Sequence, residues 1–174
     1  SEGLDLNQEQ TLEQIAQQQP RYIGISAVTL SIHSAMSLTK AIKDKYDIPV
    51  IIGGPHVTAV PAETMQACPQ FDIGVIGEGE LTIVELLEAL GRSKDLKQVD
   101  GLIYRKNGEL VQTAPRMFID DLDSLPFPAW DLLPELAKVY KPIPFSILRL
   151  PSTSLVTGRG CWAKCEFCDR SVFG

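Results

Sequence analysis

Several features that would assign the sequence to a well-known class of protein are missing from it. The 16 Lys and Arg residues form no run and the formal net charge is −6, so there is no basic surface to neutralise nucleic acid or an anionic membrane. No apolar stretch approaches the roughly 20 residues of a membrane span, and the N-terminus has no signal-peptide pattern. Four cysteines are too few for a disulfide scaffold in 174 residues. These absences predict a cytoplasmic protein with no nucleic-acid partner and no membrane span.

Helical patterns alternate with short apolar segments through the first half of the chain. Apolar residues at helical spacing predict helices at 7–18, 31–46, 61–68 and 78–91, and apolar runs between them predict strands at 21–28, 48–54 and 71–77. Strands separated by helices of this length are typical of right-handed crossovers in a parallel sheet with both faces covered. The sequence therefore predicts an α/β fold with a Rossmann-like, doubly wound parallel sheet.

The pattern changes after residue 100. Asn107-Gly108 lies between two alternating runs, which predicts a tight β-hairpin. Six of the 12 prolines then fall between residues 126 and 151, which predicts an extended linker with one short helical piece near Trp130 to Lys138. A further strand is expected to lead into the cysteines. We therefore expect a Rossmann-like domain at 1–100, a hairpin and Pro-rich linker at 101–151, and the start of another domain at 152–174.

Three of the four cysteines lie within eight residues near the C-terminus. Cys161, Cys165 and Cys168 have the spacing C-x3-C-x2-C, which allows three thiolates to bind three irons of one 4Fe-4S cluster and leaves the fourth iron open. A structural zinc site would need a fourth ligand, and His56 and Cys68 are far away in sequence. A zinc site or incidental thiols remain as alternatives, and Cys68 is interpreted as a small buried apolar residue.

The cysteine loop resembles the signature of the radical S-adenosylmethionine (radical SAM) enzymes, in which an aromatic residue, here Phe167, precedes the last cysteine. The resemblance implies that Cys161, Cys165 and Cys168 hold a 4Fe-4S cluster whose open iron chelates S-adenosyl-L-methionine, with Phe167 near the adenine. It also implies reductive cleavage to a 5'-deoxyadenosyl radical and an electron donor such as flavodoxin or ferredoxin. The later glycine-rich SAM contacts and most of the family's barrel have no counterpart in the sequence.

Residues 22–90 are similar to the cobalamin-binding domain that precedes the barrel in one subclass of this family. The likeness lies in three loops that follow predicted strands, "SAVT", "GGPHVT" and "GEGE", at the sheet edge where ligands bind in open parallel sheets. The hydroxyls are expected to contact the cofactor, and the glycines to let a planar ring or its nucleotide tail approach the backbone. The cofactor-binding candidates are Ser26, Thr29, Gly53, Gly54, Pro55, His56, Gly77, Glu78, Gly79 and Glu80.

The cobalamin assignment has one departure from the family pattern. The D-x-H-x-x-G loop that supplies a histidine to cobalt in many cobalamin proteins is absent, so either cobalamin binds without such a ligand or that part of the site lies upstream. His56 belongs to the glycine-glycine-proline-histidine turn and is not expected to bind cobalt. Each glycine loop is also compatible with an ordinary strand-to-helix turn, and Glu78 and Glu80 with a first helical turn.

Together these features predict part of a cobalamin-binding radical SAM enzyme, similar to the anaerobic magnesium-protoporphyrin monomethyl ester cyclase-like branch, that ends before most of its barrel. The substrate is expected to be a small molecule, for which the resemblance suggests a tetrapyrrole, and no catalytic residue can be identified. The alternative is a non-enzymatic flavodoxin-like or receiver-like module with a small metal-binding tail. A receiver would place clustered acidic residues at the strand ends to hold magnesium, which this sequence does not.

Overall fold

The computed structural model describes residues 6–133, 156, 158–161, 163 and 165–168. These residues fall into two compact units, one formed by the residues up to Gln18 together with those of 121–159, and the other by residues 19–120 together with those from Gly160 onward. The first unit contains the helix α1 (Gln8–Gln18) and two single-turn 3-10 helices at Leu122–Ser124 and Trp130–Leu132. The second begins at Gln19 and contains every described strand. No described helix combines the length and the apolar character needed to cross a membrane.

Helices and strands alternate in the second unit as the sequence predicts. A five-residue helix between Gly54 and Val60 was not expected, and it forms because Pro55 is preorganised for a first helical turn. The elements are β1 (Ile23–Ser26), α2 (Ile32–Lys45), β2 (Val50–Gly53), α3 (Pro55–Ala59), α4 (Pro61–Ala67), β3 (Ile73–Val75), α5 (Gly79–Gly91), β4 (Leu102–Lys106) and β5 (Glu109–Gln112).

Local sequence signals account for where several elements begin and end. The Asn7 side chain accepts a hydrogen bond from the Gln10 amide at 2.9 Å while the Gln10 side chain accepts one from the Asn7 amide at 3.0 Å, which is a reciprocal cap at the start of α1. Positive φ angles at Asn107 and Gly108 form the turn between β4 and β5. The predicted Asn cap and the predicted hairpin are both confirmed.

The five strands form one mixed sheet in the order β1-β2-β3-β4-β5. The first three are parallel, whereas β4 is antiparallel to both β3 and β5. The parallel core agrees with the Rossmann-like prediction, but among the described strands the sheet is mixed and its order shows no reversal, so the doubly wound, wholly parallel arrangement is not seen there. The hairpin was expected to be separate from the sheet, but it extends the sheet because β4 pairs with β3. Just before β4, the Gly101 carbonyl accepts a hydrogen bond from the Ile76 amide at 2.8 Å.

Apolar side chains cover the sheet on both faces. One face packs against α5 and consists of alternate strand residues with their helical partners: Ile51, Ile73, Val75, Leu86, Ala89, Val99, Leu102 and Tyr104. On the other face α3 approaches closely at Gly74, where an added Cβ would lie 2.6 Å from Ile103 Cγ2 and 3.3 Å from Val57 Cγ2. Burial of both faces explains why the strands read as continuous apolar runs in the sequence.

Two predictions reach outside the described residues. The helical piece expected near residues 130–138 corresponds to a single 3-10 turn at Trp130–Leu132, and its remainder lies outside the described part of the chain. The strand expected before the cysteine loop also lies largely outside it.

Candidate functional site

The carboxyl ends of β1, β2 and β3 meet at one edge of the sheet, which we call the carboxyl edge. All ten cofactor-binding candidates that precede the cysteine loop lie on it. Ser26 and Gly53 end β1 and β2, and they are paired in register. The others lie in the loops that follow or in the first turns of the next helices, namely Thr29, Gly54, Pro55, His56, Gly77, Glu78, Gly79 and Glu80.

Hydrogen bonds join the first two of these loops. The Ala27 amide donates to the Gly53 carbonyl at 3.0 Å, and the His56 amide donates to the Ala27 carbonyl at 3.2 Å. The side chains add a third link, because His56 Nδ1 lies 3.1 Å from Thr29 Oγ1. The loop after β1 is therefore fixed on the start of α3.

Thr58 joins the second loop to the third. Its hydroxyl donates to the Gly54 carbonyl at 3.1 Å and accepts from the Gly77 amide at 3.0 Å. The Thr58 side chain is buried and the two hydrogen bonds are partly buried. Sequence reasoning did not select Thr58, since a threonine inside a short helix gives no signal that its hydroxyl bridges two strand ends.

Gly54 is required by the packing between the first two loops. Its φ of +99° and ψ of 179° lie in a region that only glycine adopts readily. A Cβ at this position would lie 2.8 Å from both the Ala27 carbonyl oxygen and Ser26 Oγ. The position of a Cβ at Gly54 is therefore occupied by the protein, and the expected approach of a ligand to the Gly54 backbone stays a prediction.

Gly53 and Gly77 differ from Gly54 in this respect. A Cβ added to either of them would meet no atom within 4 Å. Gly77 has a φ of +77°, so its backbone also favours glycine, whereas Gly53 has no such constraint. These two positions leave open space at the ends of neighbouring strands, which is the kind of surface that a flat ligand can approach.

The loop after β1 presents both hydroxyls and apolar side chains. The Ser31 hydroxyl accepts from the Val28 amide at 3.1 Å and donates to the Val28 carbonyl at 3.2 Å, which shapes the turn. Val28 is 49% exposed and Leu30 is 97% exposed, beside the exposed Ser26 and Thr29. Val28 and Leu30 were not among the predicted site residues, and an alternating apolar and hydroxyl loop at a strand end was the signal available in the sequence.

The two glutamates of the third loop have different surroundings. Glu80 is exposed in the first turn of α5. Glu78 is buried, and its carboxylate accepts a hydrogen bond at 2.7 Å from the amide of Ile119. Ile119 lies in the segment that follows β5, residues 113–120, which we call the connector.

The cysteine loop is described at its key positions. Cys161, Cys165, Cys168 and Phe167 are exposed, and the Cys168 amide donates to the Cys165 carbonyl at 3.1 Å. Three thiols with this spacing match the donor set of a cluster with three protein ligands. Within the residues that the structure describes, no three His, Cys, Asp or Glu side chains are grouped as in a metal site. The described structure therefore does not bring the three thiols together, and the cluster stays a prediction from their spacing.

Cys68 has the opposite environment. It is 3% exposed, and burial raises the pKa of its thiol above the ordinary value of 9.0. The interpretation of Cys68 as a small buried apolar residue is consistent with this position.

The family of the sheet domain follows from comparison with known proteins. The family model described as the B12 binding domain matches residues 2–87, a range that contains the three parallel strands and all three loops of the carboxyl edge. The chain therefore carries a B12-binding domain. This match confirms the resemblance to a cobalamin-binding domain that the loops indicated.

Proteins similar to this chain extend well beyond the B12-binding domain. The chain is 38% identical over 154 residues to the uncharacterized methyltransferase PH0819 of Pyrococcus horikoshii, in an alignment that covers 88% of this chain and 32% of that protein. It is 29% identical over 174 residues to the anaerobic magnesium-protoporphyrin IX monomethyl ester cyclase of Rubrivivax gelatinosus, covering 97% of this chain and 30% of the cyclase. The chain thus spans about a third of the length of these curated relatives.

A solved structure gives the same picture of the fold. The cobalamin-dependent S-adenosylmethionine radical enzyme OxsB, in its apo form, superimposes with a TM-score of 0.65 at 19% identity, over 79% of this chain and 19% of that chain. At this level of identity the likeness shows the B12-binding fold alone.

Proposed function

We propose that the protein binds cobalamin at the carboxyl edge and forms the cofactor-binding part of a radical SAM enzyme. The observation that carries the proposal is the open space at Gly53 and Gly77, on loops that hydrogen bonds hold together, within residues that belong to the B12-binding family. Flat ligands bind at such strand ends because the backbone is accessible there.

Five residues of the carboxyl edge have a role in this proposal. Gly53 and Gly77 let the corrin or its tail approach the strand ends, and the hydroxyls of Ser26 and Thr29 bind polar groups of the ligand. The hydrogen bond between Thr29 Oγ1 and His56 Nδ1 fixes the orientation of the His56 ring at the side of the proposed site. When bound, cobalamin supplies methyl-transfer or redox chemistry, while these residues bind and orient it.

The enzymatic part of the proposal rests on the cysteine loop and on the relatives. Cys161, Cys165 and Cys168 would hold a 4Fe-4S cluster that binds S-adenosyl-L-methionine, with Phe167 beside the adenine and an external electron donor. Methyl transfer is the reaction that we favour, because PH0819, called a methyltransferase, has the higher identity of the two relatives described above. A tetrapyrrole substrate, as for the cyclase, is the second candidate.

Titration with hydroxocobalamin tests the binding proposal directly. The variant Gly53→Trp places a large side chain in open space without a backbone penalty, so it should weaken binding at least about tenfold, which is about 1.4 kcal/mol. The matched control is Gly91→Trp, which adds the same side chain at another open glycine at the end of α5.

The corrin absorption spectrum reports binding in all three proteins. We expect wild type and Gly91→Trp to bind alike and Gly53→Trp to bind weakly. If wild type fails to bind, or if all three bind equally, the cobalamin site proposed at the carboxyl edge is wrong. The same titration separates the proposal from the alternative of a flavodoxin-like or receiver-like module, which would not take up a corrin.

A further inference from the structure

The connector is hydrogen-bonded first to β4 and the residue before it, and then to α5 and the loop before α5. Its first residues extend the hairpin, since the Thr113 amide donates to the Leu102 carbonyl at 2.9 Å and the Ala114 carbonyl accepts from the Gly101 amide at 2.7 Å. Further along, the side chain of Arg116 and the backbone amide of Ile119 are each bonded to residues near the start of α5. The first stretch of the unit that contains the sheet ends at Asp120, one residue after Ile119, and the same unit resumes at Gly160. The chain therefore leaves the sheet from a fixed point.

The hydrogen bond to the Ile119 amide comes from Glu78, which lies at the carboxyl edge. Its side chain is 6% exposed, and its Oε2 accepts from an amide that lies 41 residues further along the chain. Glu78 is the N-cap residue of α5, yet its side chain makes no capping hydrogen bond. A polar side chain at this position ordinarily satisfies the free amides of its own helix. The Glu78 carboxylate holds the connector instead.

Arg116 makes the second attachment, three residues earlier. Its Nε donates at 2.7 Å to the hydroxyl of Thr82, which is fully buried. Its guanidinium group also pairs with the Glu85 carboxylate through two N–H groups. Because Glu85 is half exposed, water screens that ion pair, and the buried bond to Thr82 fixes the position of Arg116 more firmly. The connector is thus held at two points on α5 and the loop before it.

We propose that Glu78 is a positioning residue that clamps the connector to the carboxyl edge, and that it is not a contact to the bound ligand. The connector begins the only covalent path from the sheet to the cysteine loop, so holding Ile119 sets where that path starts. Glu78 lies between Gly77 and Gly79, in one of the three loops of the proposed cobalamin site. The clamp itself is independent of the proposed function, whereas its use in orienting the rest of an enzyme rests on that function.

Hydrogen exchange at the Ile119 amide tests the clamp in the intact protein. Glu78→Met keeps the length of the side chain but removes the acceptor, so exchange at Ile119 should accelerate about tenfold or more, while amides of β2 keep their wild-type rates. Glu78→Gln retains an acceptor oxygen and should restore exchange to within about threefold of wild type. The control Glu88→Met makes the same change at an exposed position of α5 and should have no effect.

The result that would overturn the clamp is equal exchange at Ile119 in wild type and Glu78→Met. Uniform acceleration in Glu78→Met of the Ile119 and β2 amides would also overturn it, because that pattern indicates general destabilisation. Titration with hydroxocobalamin supplies the second readout. Glu78→Gln should bind within about threefold of wild type, and a tenfold loss of binding with Ile119 exchange at its wild-type rate would identify Glu78 as a ligand contact and reject the proposal. If wild type binds no cobalamin, the proposed function fails, and the exchange data alone decide the clamp.

Discussion

Replacing Gly54 by alanine should destabilise the protein far more than the same replacement at its neighbour Gly53. The two glycines are adjacent, and both have been assigned to the ligand site on sequence grounds. Their surroundings differ, because a Cβ at Gly54 would lie 2.8 Å from the Ala27 carbonyl oxygen, whereas one at Gly53 would meet nothing within 4 Å. The pair therefore separates a requirement of the fold from a requirement of the ligand.

The expected magnitude follows from two costs. A residue other than glycine held at the φ and ψ of Gly54 costs about 1–3 kcal/mol. Relieving the clash means moving the Ala27 carbonyl, which accepts the hydrogen bond from the His56 amide, and losing that bond costs about 1 kcal/mol. Gly54→Ala should therefore lower the free energy of unfolding by about 3 kcal/mol. Gly53→Ala should change it by less than about 1 kcal/mol, in either direction.

Urea unfolding followed by far-ultraviolet circular dichroism measures both changes under identical conditions. A midpoint that falls clearly for Gly54→Ala and stays near wild type for Gly53→Ala would support the reasoning. If Gly54→Ala unfolds at the same urea concentration as Gly53→Ala, the close contact between the first two loops does not determine stability. The role assigned to Gly54 would then be refuted.

Two further predictions concern the cysteines. Anaerobic reconstitution with iron and sulfide should give about four irons per chain. The variant Cys68→Ala should retain this iron, whereas each of Cys161→Ala, Cys165→Ala and Cys168→Ala should lose most of it. Stoichiometric zinc without a cluster would contradict this prediction. At pH 8 a thiol reagent should modify the three exposed cysteines well before Cys68, because burial raises the pKa of the Cys68 thiol and leaves less of the reactive thiolate. In urea all four should react together, and equal rates in the folded protein would show that Cys68 is accessible.

Local patterns in the sequence were sufficient to predict most of the secondary structure. The buried residues of α2, from Ile32 to Ile42, follow the helical spacing read from the sequence, and Asn107-Gly108 forms the expected hairpin turn. These features depend on neighbours within a few residues, so the sequence carries them directly. The helix α3 was missed because five residues are too few to repeat the helical spacing of about 3.6 residues.

Pairing between distant segments was the part that local patterns could not supply. The hairpin was expected to follow the sheet, but β4 pairs with β3 and extends it. The bond from Ile119 to Glu78 joins residues 41 positions apart, and no spacing rule predicts such a contact. For the same reason the sequence located the three loops of the candidate site but did not distinguish the role of Gly54 from that of Gly53.

The carboxyl edge contains two kinds of residue that the sequence motifs do not distinguish from each other. Gly54, Thr58 and Glu78 are engaged with other parts of the chain, through close packing or partly buried hydrogen bonds. Gly53 and Gly77 leave space that the chain does not fill. A substitution in the first group that breaks these contacts alters the fold of the edge, so a loss of cobalamin binding in such a variant would not by itself identify a ligand contact. A substitution of Gly77 would also strain the backbone, because this residue has a positive φ. Gly53 is therefore the position where a variant that keeps its stability but loses cobalamin binding gives the clearest information about the ligand.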